Sequence, residues 1–427
     1  MLKHPLAALF APFCYCVPLA AQEVPGWTLH ELPGAAVTVL AVAYEAGYDL
    51  DAPGECGACR VVVECRLERA RAAVPGTKAS GVHVDGGAVV AFVMVEGDRW
   101  QQALQFVLAL QDQQAPLSDD VIARVAARTA LVADDAEWLY PGEVLASSSR
   151  RALWAGTPLA HSLVGAPLAL QALSVARVRE LQKLPTARRG LGLGVLPPAL
   201  GAELAKVELA TGPWRLAGPA ANPVAAPAKG LESIGNPRTD AVFLTAAFAV
   251  PPEVDRAALA LLLEVARVRA LRTLPPRREE ALARAPRIAW SWLHGDPVVL
   301  FTRRGSYGPS MDRPQKELER LLADLRERPV SAEELAKAAQ AVDFELSLPP
   351  WSDERKAAMA AAPGALPGRA ITILLAERRG IEAGATAAVT VDSVAQTVAM
   401  TLAPGRASWF AVVPTTTLAA PLPGGGR

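Results

Sequence analysis

Three cysteines and two glutamates lie within one short stretch of the sequence. The pattern is Cys56-x-x-Cys59-x5-Cys65, with Glu55 before the first cysteine and Glu64 before the last. Thiolates at this spacing can ligate zinc, close a disulfide or catalyse thiol–disulfide exchange. The stretch is therefore a candidate for metal or redox chemistry.

The sequence lacks a feature that a zinc site needs and one that redox catalysis needs. A zinc site needs a fourth ligand from His83, His161 or a glutamate, and the sequence holds no second Cys-x-x-Cys pair. Redox catalysis needs a βαβ context, which the flanking pattern does not have. A Cys56–Cys59 disulfide or buried thiols are the favoured interpretations, and the sequence does not decide between them.

The composition is that of a neutral, globular protein. Lys+Arg 43 balance Asp+Glu 43, so no basic excess is available to neutralise phosphates, and aromatic residues make up only 5%. We therefore expect no nucleic-acid partner. Hydrophobic residues at 51% favour a large buried core, and the chain length allows roughly two to four domains. The presence of 5 His limits any histidine-built metal site.

Residues 1–21 have the layout of a secretory signal peptide. Lys3 and His4 precede an uncharged apolar run from Leu6 to Ala21, and Gln22 returns to polar character. Prolines and the short length disfavour a membrane anchor. We expect cleavage after Ala21, export to the periplasm or the extracellular space, and no membrane span in the mature chain.

An internal repeat organises the rest of the chain. Strand-like segments, an amphipathic helix, a helix capped by Ser118 or Ser331, and a final helix and strand recur in the same order. The offset between matched segments grows by several residues along the chain, as small loop insertions produce. The matched pairs are 37–44 with 241–248, 89–92 with 298–301, 100–111 with 315–325, 116–121 with 329–335, 173–178 with 389–394, and 190–196 with 407–413.

The repeat predicts an α+β fold of two homologous halves. Each half is expected to be a mainly antiparallel β-sheet with helices packed on one face. The first half spans 22–210 and the second spans 241–416. A Pro- and Ala-rich linker over 211–240 joins them, and a flexible tail follows over 417–427.

In this arrangement the chain resembles the insulinase/pitrilysin family of zinc metallopeptidases, which includes the mitochondrial processing peptidase. Gly47–Arg60 resembles the family's turn and the start of its zinc helix. Trp154–Gly165 resembles a later loop, Leu173-Ser174 the next helix start, and Pro329–Leu335 the matching helix of the second half. The resemblance covers nearly the whole mature chain. It implies the LuxS/MPP-like metallopeptidase fold, whose halves form a chamber that admits peptides.

The resemblance also implies a zinc motif that this sequence lacks. The family places His-x-x-Glu-His on one helix, where two imidazoles bind zinc and the Glu activates water. Ungapped alignment puts Arg60, Val63 and Glu64 there, but an arginine cannot ligate and a valine cannot act as a base. A shift by one residue gives Val61, Glu64 and Cys65, which restores the Glu but neither His. Arg60 and Glu64, one helical turn apart, predict a salt bridge that fills the former ligand position.

The family's third ligand, a Glu on the helix after the Pro-φ-Ser turn, is missing as well. Between Asp120 and Asp134 that helix has no acidic residue. Arg124, Arg128 and Thr129 are the non-apolar side chains within it. We therefore expect no catalytic residues, no metal and no cofactor in this chain.

The family's second half supplies an Arg and a Tyr that hold the substrate. The stretch Arg284–Trp292 falls near this place, with Trp290 near the Tyr, so Arg284, Arg287 and Trp290 are candidate substrate-binding residues. A guanidinium can bind a peptide carbonyl, whereas an indole only donates a hydrogen bond. A solvated charged surface is the alternative for both arginines.

Together these features predict an exported, non-catalytic insulinase-like homologue. It would act as a structural or substrate-holding subunit beside a catalytic homologue that bears the zinc motif, with a peptide or an unfolded protein as substrate. One alternative is an active metallopeptidase with a substituted metal site around Cys56, Cys59, Glu64 and Cys65. Another is a peptide-binding module of the cell envelope that has no peptidase partner.

Overall fold

The structure of the chain is a computed structural model. It describes residues 22–46, 51–52, 54–85, 88–139, 141–153, 165–210, 231–237, 239–251, 253–272, 287–293, 296–307, 310–346, 351–381 and 384–415. The predicted signal segment over 1–21, the predicted tail over 417–427 and residues 211–230 of the predicted linker lie outside these ranges.

The described part of the first half forms a six-stranded sheet. Its strands are β1 (Gln22–Val24), β2 (Trp27–Glu31), β3 (Val37–Glu45), β4 (Ala79–Asp85), β5 (Ala88–Glu96) and β6 (Thr186–Gly194). Their order is β1-β2-β6-β3-β5-β4, and all neighbours pair antiparallel except β2 with β6. The central strand β3 is apolar along nearly its whole length because both faces of the sheet are covered.

The described part of the second half forms a five-stranded sheet with the same plan. Its strands are β7 (Leu231–Asn236), β8 (Ala241–Ala249), β9 (Arg287–Leu293), β10 (Asp296–Tyr307) and β11 (Ser408–Pro414). The order β7-β11-β8-β10-β9 repeats β2-β6-β3-β5-β4, including the single parallel pair at β7 and β11. The predicted duplication and the mainly antiparallel α+β fold are thereby confirmed.

Two boundaries differ from the sequence expectation. The linker was expected over 211–240, but Leu231–Asn236 within it forms β7 of the second sheet. This segment contains Glu, Ser, Gly and Asn and lacks an apolar alternation, so its strand character comes from pairing with β11. The strand expected over 190–196 is β6, which starts and ends earlier.

Helices follow the strands in the same order in both halves. The first half has α1 (Ala58–Ala73), α2 (Trp100–Gln111), α3 (Asp119–Leu139), α4 (Pro141–Leu153), α5 (Pro167–Ala172), α6 (Val175–Leu181) and α7 (Pro198–Leu204). The second has α8 (Arg256–Arg272), α9 (Asp312–Glu327), α10 (Ala332–Glu345), α11 (Asp353–Ala360), α12 (Leu366–Arg378) and α13 (Val391–Thr401). Among the described residues, no single helix could cross a membrane by length and hydropathy, although one bent helix pair, Asp353–Ala360 with Pro363–Arg378, meets those criteria.

The halves exchange one helix each. On one face, each sheet is covered by helices of its own half, α1, α2 and α7 for the first sheet and α8, α9, α10 and α13 for the second. On the other face, α12 from the second half packs on β3, β5 and β6, and α4 from the first half packs on β8, β10 and β11. Each sheet therefore completes its core with a helix from the opposite half.

The repeat extends to a pair of arginines in the first helix of each half. Arg69 on α1 donates to carbonyls of segment 109–115, which comprises the end of α2 and the residues that follow it. Arg269 on α8 donates to carbonyls of segment 324–329, which comprises the end of α9 and the residues that follow it. Arg69 and Arg269 are therefore equivalent positions, and they align α1 with α8 residue by residue.

Candidate functional site

Helix α1 begins at a glycine turn capped by Asp51. Gly57 has a φ of 98°, in the left-handed region that glycine favours. The Asp51 carboxylate accepts hydrogen bonds from the backbone N–H groups of Gly57 at 2.6 Å and Cys59 at 2.9 Å. The Cys56 carbonyl accepts from the N–H of Ala166 at 3.1 Å, which ties the turn to the start of α5. These bonds fix the helical turn in which the degenerate zinc motif begins.

An ion-pair cluster lies at the position of that motif. Arg60 Nε donates to Glu64 Oε1 at 2.7 Å, which confirms the predicted salt bridge. Arg128 on α3 donates to Glu64 Oε2 at 3.1 Å, and the Thr129 hydroxyl lies 3.4 Å from the same oxygen. The Glu64 side chain is 10% exposed, and two guanidinium groups contact its carboxylate, a buried one from Arg60 and a half-exposed one from Arg128. We call these four residues the α1–α3 cluster.

The charges around the cluster are mainly positive. Glu68, one turn beyond Glu64, accepts from Arg71 and Arg128 at 3.0 Å each. Burial acts to raise the pKa of Glu68, but the hydrogen bonds from Arg128 and Arg71 hold it below its usual range. Arg124 on α3 is exposed and forms no ion pair within the described residues. Three arginines, Arg60, Arg71 and Arg128, thus pair with two glutamates where the resembling family would bind a cation.

The remaining positions of the motif point into the apolar interior. Val63 is fully buried in the cluster that packs on the first sheet, and Val61 and Cys65 are buried in the apolar packing between α1 and α3. This geometry favours the ungapped alignment, in which Arg60 and Glu64 occupy the two histidine positions. A guanidinium cannot ligate a metal and repels a divalent cation, so the residues present do not fit zinc.

The three cysteines are buried apart from one another. No disulfide joins Cys56, Cys59 and Cys65, which are buried in three different hydrophobic clusters. Burial raises the pKa of the Cys65 thiol to about 12, so this thiol is protonated near neutral pH and is a poor nucleophile for exchange. Within the described part of the chain, no three His, Cys, Asp or Glu side chains gather as a metal-binding group.

The other candidate ligands are used elsewhere or lie outside the described ranges. Glu55 accepts two hydrogen bonds from Arg177 on α6, at 2.8 and 3.0 Å, and Arg177 also pairs with Glu180. His83 lies on the edge strand β4, and His161 falls outside the described residues. Glu55 therefore joins the start of α1 to α6.

The candidate substrate-binding residues belong to the far edge of the second sheet. Arg287 and Trp290 lie on the edge strand β9, where their backbones pair with Thr302 and Val299 of β10. Arg284 lies outside the described residues. Their role in substrate binding stays a prediction.

Sequence reasoning missed two residues that shape the site. Asp51 was not singled out as a cap, although an acid shortly before a helix-starting glycine is a signal for one. Arg177 was not connected with Glu55 because the two are far apart in the chain and meet only when α6 packs on α1.

No protein-family model and no curated protein matches this sequence. Solved structures do match its fold. The peptidase M16 inactive domain from Pseudomonas fluorescens is 15% identical over 91% of this chain and 95% of its own, with a TM-score of 0.64. Complex III2 from Candida albicans contains a chain that is 12% identical over 92% and 94%, with a TM-score of 0.66. The periplasmic protease PqqL from Escherichia coli is 14% identical over 91% of this chain and 44% of its own, with a TM-score of 0.59. The chain therefore has the M16-like peptidase fold that the sequence resemblance implied.

Proposed function

We propose that this chain, which has the M16-like fold, is an exported peptidase homologue that does not hydrolyse peptides itself. It acts as a structural or substrate-holding subunit beside an active zinc metallopeptidase of the same fold. The observation that carries the proposal is the α1–α3 cluster. Two guanidinium groups stand where the family would hold a metal, and Val63 replaces the catalytic base.

The structural neighbours support each part of this proposal in a different way. One is described as an inactive peptidase domain, one belongs to a multi-subunit complex, and one is a periplasmic protease. These descriptions apply to those proteins. For this chain, export is supported further by the signal-like segment over 1–21.

Metal content and peptidase activity test the missing chemistry. We expect the pure mature chain to hold well below one zinc ion per molecule and to cleave no peptide from a mixed-sequence library. The triple variant Arg60→His, Glu64→His, Thr129→Glu is the matched control, because it places two imidazoles one turn apart and a carboxylate opposite them on α3. This variant is expected to bind about one zinc ion per chain. Stoichiometric zinc together with peptide cleavage in the unmodified chain would overturn the proposal.

Affinity purification from the native source tests the partnership. A homologue with an intact His-x-x-Glu-His motif is expected to co-purify with the mature chain. Recovery of other envelope proteins without such a homologue would favour the peptide-binding module instead. Crosslinking before lysis retains transient partners and makes that distinction sharper.

A further inference from the structure

The second half contains a counterpart of the α1–α3 cluster. Glu64 lies five residues before Arg69, and Glu264 lies five residues before Arg269, the arginine in the equivalent position. Glu64 contacts Thr129 on α3, and Glu264 lies beside Val342 on α10. Since Thr129 and Val342 each lie eleven residues after the capping serine of their helix, the two places match.

The two places differ in what fills them. In the first half Arg60 and Arg128 close around Glu64. In the second half the same positions are Ala260 and Ala341, and Ala260 lines an open space. A cavity of about 280 Å³ results between α8, α10 and α12. It is smaller than most drug-sized ligand sites and has the size for one side chain or a small molecule.

The cavity has apolar walls and a negatively charged end. Ala260, Leu263, Val342 and Leu346 form the apolar part. The Glu264 side chain is 5% exposed and accepts from Arg267 at 2.6 and 2.7 Å.

Glu345 adds a second carboxylate to the lining. It is exposed, and its negative charge acts on the Arg267 guanidinium, which already pairs with Glu264. The remaining charged group, Arg379, is paired with Asp85 at 2.6 Å. Because Asp85, outside the lining, takes up the charge of Arg379, the carboxylates of Glu264 and Glu345 share the single guanidinium of Arg267.

From this lining we infer that the cavity binds the cationic side chain of a peptide, lysine or arginine. The aliphatic stem of such a side chain packs on Leu263, Val342 and Leu346, and its charged end reaches Glu345 and the rim of the Glu264–Arg267 pair. A free diamine has the same chemistry, and the test distinguishes the two sources. The inference does not depend on whether the first half can bind zinc.

Fluorescence anisotropy of the full mature chain tests the inference. The probe is a short, labelled peptide with capped ends and one lysine among neutral residues, and the control peptide has norleucine in its place. Binding of the lysine peptide is expected to be at least about fivefold tighter. Competition by cadaverine as effective as by the unlabelled lysine peptide would support the same site with a free diamine as ligand. Equal binding of the lysine and norleucine peptides would overturn the inference.

Two variants locate the site. Ala260→Arg introduces an arginine at the position that Arg60 occupies in the first half. It is expected to weaken binding of the lysine peptide more than about tenfold. Glu345→Gln removes the exposed carboxylate without disturbing the core. It is expected to weaken binding of the lysine peptide about threefold. Glu327→Gln, at an exposed position at the end of α9, is the control and should leave binding within about twofold. Unchanged binding in Glu345→Gln would refute the site even if Ala260→Arg fails to fold. None of these measurements involves zinc or cleavage, so their failure is separate from failure of the proposed function.

Discussion

The side chains that replace the zinc motif show how far spacing alone predicts contacts. Arg60 and Glu64 are four residues apart on a helix, and that spacing was sufficient to predict their salt bridge. The approach of Arg128 and Thr129 to the same carboxylate required the packing of α3 on α1, which no local pattern specifies. The cysteines are a similar case, since their separate clusters follow from tertiary packing.

Arg269 on α8 and Arg60 on α1 are expected to differ in how much each contributes to the stability of the fold. Arg269 is 1% exposed and satisfies three carbonyls as well as Glu334, so Arg269→Met should lower the free energy of unfolding by about 3 kcal/mol. Arg60→Met leaves Glu64 paired with Arg128 and should cost about 1 kcal/mol or less. Urea unfolding followed by circular dichroism measures both values. A larger loss in Arg60→Met than in Arg269→Met would contradict this ranking.

At the scale of elements, the periodic segments were predicted and the irregular connections were not. Helix α2 has the predicted bounds, because its apolar face repeats with the helical period. Strand β7 was assigned to a linker because its pairing with β11, and not its composition, makes it a strand. The capped turn before α1 also escaped prediction, since Asp51 reaches the helix start across a glycine turn.

That turn is expected to tolerate no side chain at Gly57. An added Cβ would lie 3.0 Å from the Gly165 Cα and 3.1 Å from Leu170, in addition to the strain of a φ of 98°. Gly57→Ala should therefore lower the free energy of unfolding by about 2–3 kcal/mol. Gly54→Ala is the matched control, because Gly54 has a φ of 85° but no atom within 4 Å of the added Cβ. It should cost about 1 kcal/mol, and thermal unfolding of both variants gives the comparison.

At the scale of the whole molecule, the duplication was predictable and the exchange of helices was not. Matched segments in a fixed order specified two similar halves. The apolar pattern of α4 or α12 indicates that one face of the helix is buried, but it does not say against which sheet. That choice depends on how the two halves pack together.

The contact between the halves is expected to weaken in acid through His30. This residue on β2 packs against Trp351 from the second half, with ring centroids 4.8 Å apart and the ring planes tilted by 54°, and burial lowers the pKa of His30 to about 4. The unfolded chain, with a histidine pKa near 6.5, binds a proton more readily. The stability contribution of neutral His30 is therefore complete above pH 6.5 and is lost as the pH falls towards 4.

Unfolding at two pH values measures this effect. Between pH 7.5 and pH 5 we expect a loss of about 1–2 kcal/mol that is attributable to His30. His30→Phe keeps an aromatic ring against Trp351 and should remove that share of the pH dependence. Burial also lowers the pKa of His83, so this residue contributes to the pH dependence of stability as well. The share of His30 is therefore the difference in pH dependence between the unmodified chain and His30→Phe. An identical pH slope in both would show that His30 does not titrate as described.

The crossing of α4 and α12 between the sheets also bears on how such a chain arose. A protein with one copy of the unit would have had one helix, the counterpart of α4 or α12, that packs on no sheet of its own. It would also have had one sheet face that no helix of its own covers. In a domain-swapped homodimer, two identical copies could have covered each other's open sheet face by exchanging this helix. Fusion of the two genes would then have made that swap permanent within a single polypeptide and left each copy free to diverge.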